Sequence, residues 1–176
     1  AKRAKCMKLC IEVATYMRNF RNFSGSCAFH SALASTPIHR LKSAWGKLSN
    51  NDMRKFKEIQ KIFAYDGGNW QLLRKLHRQA HAPAILHTGL FLQDLVGIDE
   101  GASDKLKNGR VNFKKLLKLH EKVDTIAMYQ QEEYQFKEDL VIQSVIKEDF
   151  KAQDHIDDDF LFKISSSVKA SDQKKK

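Results

Sequence analysis

The chain has 176 residues, 42% of them apolar and eleven of them Phe, enough hydrophobic mass for one domain with a sizeable core. Its net charge of +10 is dispersed rather than gathered into one stripe. That argues against a dedicated nucleic-acid site and is compatible with peripheral contact with an anionic membrane. Three cysteines, none in CxxC spacing, exclude a disulfide framework and point to a reducing, cytoplasmic compartment.

Two Pro, eight Gly and the lack of any sustained period-two alternation predict an all-α fold. Residues 2–20 read as a helix with Cys6, Met7, Cys10, Val13, Ala14 and Met17 on its apolar face. Because the sequence opens on Ala inside this helical pattern, with no cleavage site and no apolar run of roughly 18 residues, we expect part of a longer protein without a signal peptide or membrane span here. A second helix is predicted from Ser24 to Ala34, then a short one capped by Ser35 or Thr36, with Pro37 in its first turn, ending near Gly46. Ser49, Asn50 and Asn51 are candidate caps for an amphipathic helix through Phe56, Ile59 and Phe63, which "DGG" at 66–68 ends. A basic helix follows over 69–80.

Pro83 is then expected to start the helix that holds "GLFLQDLVGIDEG", residues 89–101. On a helical wheel Ile85, Gly89, Leu92 and Val96 share one side, Phe91, Leu95 and Ile98 widen it, and Glu100 lies one turn past Val96. Acids at a helix C-terminus oppose the macrodipole, so an apolar stripe that runs into Asp99 and Glu100 calls for an explanation beyond local stability. After a turn region at 101–110, residues 111–130 read as an amphipathic helix through Phe113, Leu116, Leu117, His120, Val123 and Ala127. The short connection predicts an antiparallel hairpin. Residues 132–148 and 155–165 supply further helical segments, and 167–176 read as a disordered basic tail.

No GxxxxGK[ST], GxGxxG or GxSxG motif is present, so neither a phosphate cradle nor a nucleophile elbow is expected. His77 and His81 have a zinc-compatible i, i+4 spacing, but "HRQAH" lacks the Glu beside the first His and a third ligand, so no metal is expected. His30, His39 and His120 read as core-edge or surface histidines.

Three ordered segments resemble one family. "RNFSGSCAFHSALASTPIHRLKSAW" (21–45) resembles the "NNFN…LNSSPVxRLKxTW" block of guanine nucleotide exchange factors for Ras-like small GTPases, matching at Asn22, Phe23, Ser35, Pro37, Arg40, Leu41 and Trp45. "GLFLQDLVGIDEG" resembles "GxYLxDLxFIEEG" at Gly89, Leu92, Asp94, Leu95, Ile98, Glu100 and Gly101. "NGRVNFKKLLKL" resembles "DGLINFxKRRK" at Gly109, Asn112, Phe113, Lys115 and Lys118, and at Val111 by residue type. The resemblance implies an irregular helical domain with a protruding antiparallel hairpin, residues 1–166 forming the C-terminal two-thirds of such a catalytic domain.

It further implies an exchange catalyst without covalent chemistry or cofactor, recruited to the inner face of membranes. In the family the hairpin pries open the nucleotide site. Here Val96 would take the magnesium position and Glu100 would meet the phosphate-binding loop, while Arg40, Leu92, Asp94, Gly101 and Lys118 would contact the GTPase. Such GTPases hold nucleotide with picomolar affinity, on the order of 16 kcal/mol, so a factor need only favour the nucleotide-free form. The chain departs from the pattern at Ala34 and Ala102, where Asn is usual, at His87, where an aromatic residue is usual, and at Val96, where Leu or Thr is commoner. Those departures leave an alternative: a GTPase-binding scaffold of the same fold without exchange activity.

Overall fold

The computed structural model describes residues 2–64, 70–153 and 156–173. These form ten helices and, among the described residues, two isolated bridges in place of any sheet, so the fold is all-α as the sequence predicts. The "DGG" break lies outside the described residues.

Helix α1 (Lys2–Asn19) buries Ala4, Met7, Ile11 and Ala14. Its inward face is turned relative to the one expected, and Cys6 is exposed. Helix α2 (Phe23–Ala34) is capped by Asn22, whose Oδ1 accepts from Gly25 N–H at 2.8 Å. The single helix expected over 36–46 is two short ones, α3 (Thr36–His39) and α4 (Lys42–Trp45). Leu41 leaves helical geometry between them and is buried in the core. Ser35 holds the N-cap position of α3, but its hydroxyl donates back to Ala32 O of α2 at 2.7 Å and makes no cap bond to α3.

Helix α5 (Asn50–Ile62) starts with a capping box in which Ser49 and Asp52 satisfy each other's backbone N–H groups. It buries Phe56, Ile59 and Ile62. Helix α6 (Gln71–Gln79) inserts Leu73, fully buried, into the same core. One cluster joins Ala14, Phe23, Ile59, Ile62, Phe63 and Leu73 to Leu90. A second joins Met7, Ile11, Leu33, Leu41, Ala44 and Phe56. Together they form the body that carries the remaining helices.

Pro83 does not start a helix. Residues 83–87 run extended because Ile85 pairs with Asn22: Ile85 N–H donates to Arg21 O at 3.0 Å and Phe23 N–H donates to Ile85 O at 2.8 Å. Ile85 therefore does not share a helical face with Gly89. Helix α7 (Thr88–Glu100) begins five residues later than expected, α8 spans Phe113–Tyr129 and α9 spans Leu140–Ala152. Helix α10 (Asp158–Gln173) continues seven residues into the segment expected to be a disordered tail. No Pro or Gly interrupts "SSSVKASDQ", so nothing local stops the helix.

Candidate functional site: the α7–α8 hairpin

Two of the matched sequence blocks meet at the root of the hairpin. The Arg21–Phe23 backbone holds residues 83–87, and Arg21, itself at a left-handed φ of 60°, donates from Nε to Pro83 O at 3.1 Å. His87 then serves as N-cap of α7, its Nδ1 accepting from Leu90 N–H at 3.1 Å. Leu90, 3% exposed, plugs the start of α7 into the first core cluster.

α7 and α8 pack antiparallel. Asp94 pairs with Lys122 at 2.8 Å, and Asp99, five residues further along α7, pairs with Lys115, seven residues back along α8, at 2.6 Å. Asp94, its side chain 17% exposed, is also held by the Arg74 guanidinium at 2.7 and 2.9 Å. Burial pushes the Asp94 carboxyl up, but the bonds and charges of Arg74 and Lys122 outweigh this and hold it below the usual carboxylate range. Lys115 is buried and clasps Asp104 as well as Asp99, which raises its pKa; the same bond lowers that of Asp104.

The connecting loop is ordered by its own bonds. Lys105 and Val111 form an antiparallel bridge, and Gly109 turns the chain at a φ of 80°, which a side chain would strain. Asn112 caps α8 and donates from Nδ2 to Ser103 O at 2.9 Å. Two acids of α7, Asp94 and Asp99, and two lysines of α8, Lys115 and Lys122, are thus spent inside the hairpin to hold its legs together.

What remains exposed is a ridge. Leu92 and Val96 are 53% and 52% exposed, and Glu100 follows on the same side one turn on. Among the described residues the Glu100 carboxylate makes no ion pair and no side-chain hydrogen bond. Gly97 lies beside Val96 with open space where a Cβ would stand. On α8, Phe113, Leu116, Leu117 and Val123 also face outward; the inward side is made by Lys115, Leu119, Lys122 and Ile126 instead. The apolar pattern read from α8 is therefore an outward face. Lys118 lies across from it, lining a groove with Gly97, Ile98, Gly101 and Lys114 between the two legs.

Of the site residues predicted from sequence, the fold gathers Leu92, Asp94, Val96, Glu100, Gly101 and Lys118 on one hairpin. Arg40 does not join them. It stands over the Phe162 ring at 4.2 Å and donates to Ser166 Oγ at 2.6 Å, tying α3 to α10. Asp94 is turned inward. Sequence reasoning missed Arg74, Lys122 and Tyr129, whose hydroxyl donates to His77 O at 2.9 Å. Asp94 itself was the available signal, since an acid on the buried side of a helix needs cations on its neighbours. His77 is engaged as an acceptor, its Nε2 facing His87 N–H at 3.4 Å, and burial with the nearby charge lowers its pKa to about 4. His30 sits between the Phe56 and Phe63 rings as a core residue. A cavity of about 520 Å³ between α1, α5 and α6 lies away from the ridge, walled by Phe23, Ile62, Leu72 and Leu76.

These features define the class: an all-α domain that mounts a clasped two-helix hairpin and leaves one face of it exposed. The profile of the RasGEF domain matches residues 1–117. The chain is 33% identical over 137 residues, 78% of its length, to Ras guanine nucleotide exchange factor P of Dictyostelium discoideum. It is 34% identical over 134 residues, 65% of its length, to Ral guanine nucleotide dissociation stimulator-like 2 of Mus musculus. A third similarity, 28% over 169 residues and 96% of the chain, is to the mouse Ras-specific guanine nucleotide-releasing factor 2. These stretches cover 9%, 17% and 14% of the three relatives. The chain belongs to the RasGEF domain family.

Proposed function

We propose that this domain promotes GDP release from a Ras-family small GTPase by inserting the α7–α8 hairpin into its nucleotide site. The observation that carries this reading is the Leu92–Val96–Glu100 ridge: two half-exposed aliphatic residues and an unpaired acid, on a hairpin where Asp94, Asp99, Lys115 and Lys122 are spent on clasping its legs. An aliphatic group at the magnesium position removes coordination, and a carboxylate near the phosphate-binding loop replaces phosphate charge there. Nucleotide then weakens the complex by the same factor by which the domain weakens nucleotide. Asp94 and Arg40 support docking from within the domain in this reading, and Lys118 and Gly101 flank the ridge. The protein acts in the cytoplasm and reaches membranes through its GTPase, with the dispersed positive charge favouring an anionic surface.

The test is release of a fluorescent guanine nucleotide from purified Ras-like GTPases, beside capture of the nucleotide-free form. Glu100→Ala is expected to slow release ten- to hundredfold, the loss of a charge-assisted contact of roughly 1.5–3 kcal/mol, while folding stays intact. Val96→Asp is expected to slow it further. Capture without release by the parent protein would replace this reading with the scaffold one, which Ala34 and Ala102 favour.

A further inference from the structure

Both legs of the hairpin stand on α6. Arg74 presents a fork to Asp94, Nη2 to Oδ1 at 2.7 Å and Nη1 to Oδ2 at 2.9 Å. One turn along α6, the His77 carbonyl accepts the Tyr129 hydroxyl from the end of α8. α6 is fixed in turn, because Leu73 is fully buried in the core. Beyond Asp94, the hydrogen bonds and ion pairs of α7 in the described residues run only within the hairpin, as Asp99 with Lys115. Asp94 is therefore the last point at which α7 is tied to the body.

The ridge is cantilevered from that point. Six residues separate Asp94 from Glu100, about 9 Å at the helical rise, so a tilt of about 10° at Asp94 displaces Glu100 by about 1.5 Å. Misplacement on the order of 1 Å can cost about a hundredfold in a reaction that depends on positioning. A guanidinium fork restrains direction as well as distance, which a single ammonium does not.

We propose that Arg74 is a positioning residue for nucleotide exchange, setting through its fork on Asp94 the angle at which the hairpin carries Val96 and Glu100. The proposal rests on the hairpin reading above. Lys122 makes it separable from folding. When Arg74 is removed, Asp94 keeps the ammonium at 2.8 Å, so no buried carboxylate is left bare and the two legs stay clasped. Only the tie of α7 to α6 at Asp94 is cut; the Tyr129 bond that holds α8 to the His77 carbonyl stays.

The experiment compares parent, Arg74→Met and Arg74→Lys in the protein carrying this domain. It measures kcat and KM for stimulated nucleotide release, and the distance distribution between noncanonical spin-label residues at exposed Gln60 on α5 and Asn108 at the hairpin tip. Arg74→Met is expected to lower kcat about tenfold or more with KM changed less than about threefold, and to broaden the distribution at an unchanged melting temperature. Arg74→Lys is expected to recover part of kcat. An unchanged distribution in Arg74→Met overturns the proposal, and so does a broadened one with parental kcat. If Glu100→Ala exchanges nucleotide like the parent, the hairpin reading fails by itself; the distance measurement then still decides whether Arg74 sets the angle.

Discussion

At the scale of single residues, Gly97 within α7 and Gly101 at its C-cap do opposite work. A Cβ at Gly97 would meet nothing within 4 Å, whereas one at Gly101 would stand 2.6 Å from the Gly97 carbonyl oxygen. That oxygen already accepts Gly101 N–H at 3.1 Å, so a methyl group there must open the last turn. Gly97→Ala is therefore expected to stabilise the domain by about 0.5–1 kcal/mol through helix propensity. Gly101→Ala is expected to lower the melting temperature and to slow exchange, because the turn that opens carries Glu100. Thermal melts of the two variants beside the parent check the signs. The family resemblance singled out Gly101, but its reason, a close backbone approach at an ordinary φ of −73°, is not legible in sequence.

At the scale of elements, what the sequence announced well were helix starts with a local chemical cause. Ser49, one of the cap candidates in the sequence, caps α5; Asn22 and Asn112, not among those candidates, cap α2 and α8. Pro83 misled because its role depends on a segment sixty residues away: the extended pairing of Ile85 with Asn22 takes the backbone that a helix would have used. The cap of α7 then falls to His87, an unusual choice that works only while Nδ1 is unprotonated, and His77 Nε2 beside it also accepts. Burial lowers the pKa of both, that of His77 to about 4. The unfolded chain, with His near 6.5, binds more protons between those values, so stability is full above pH 6.5 and falls as pH drops toward 4. For His77 the loss is on the order of 2–3 kcal/mol. Denaturant titrations at pH 7.5 and 4.5 should show it, and His77→Gln, which keeps an acceptor but does not titrate, should shrink the difference between the two pH values.

For the molecule as a whole, the apolar residues outnumber the places in the two core clusters. Leu140, Val141, Ile142, Val145, Ile146 and Phe150 of α9 are all exposed, and among the described residues α9 packs substantially against no other helix. Together with the outward face of α8 they form more apolar surface than a monomer ordinarily shows. The sequence pattern places this helix at 132–148, eight residues too early at its start, and leaves its surroundings open, since periodicity gives a face and not what covers it. Covering six half- to three-quarter-exposed side chains offers about 6–12 kcal/mol before the cost of immobilisation, which takes most of it back. Residues 1–176 alone should thus self-associate weakly, with a Kd between micromolar and millimolar. Sedimentation velocity over a hundredfold range of concentration should show the average mass rising. Val145→Lys with Phe150→Lys, both at exposed sites, should suppress the rise without lowering the melting temperature, since neither side chain contributes to a core cluster. A parent chain that stays monomeric across that range would mean that α9 folds back on the body in solution, and its six apolar side chains should then be protected from solvent.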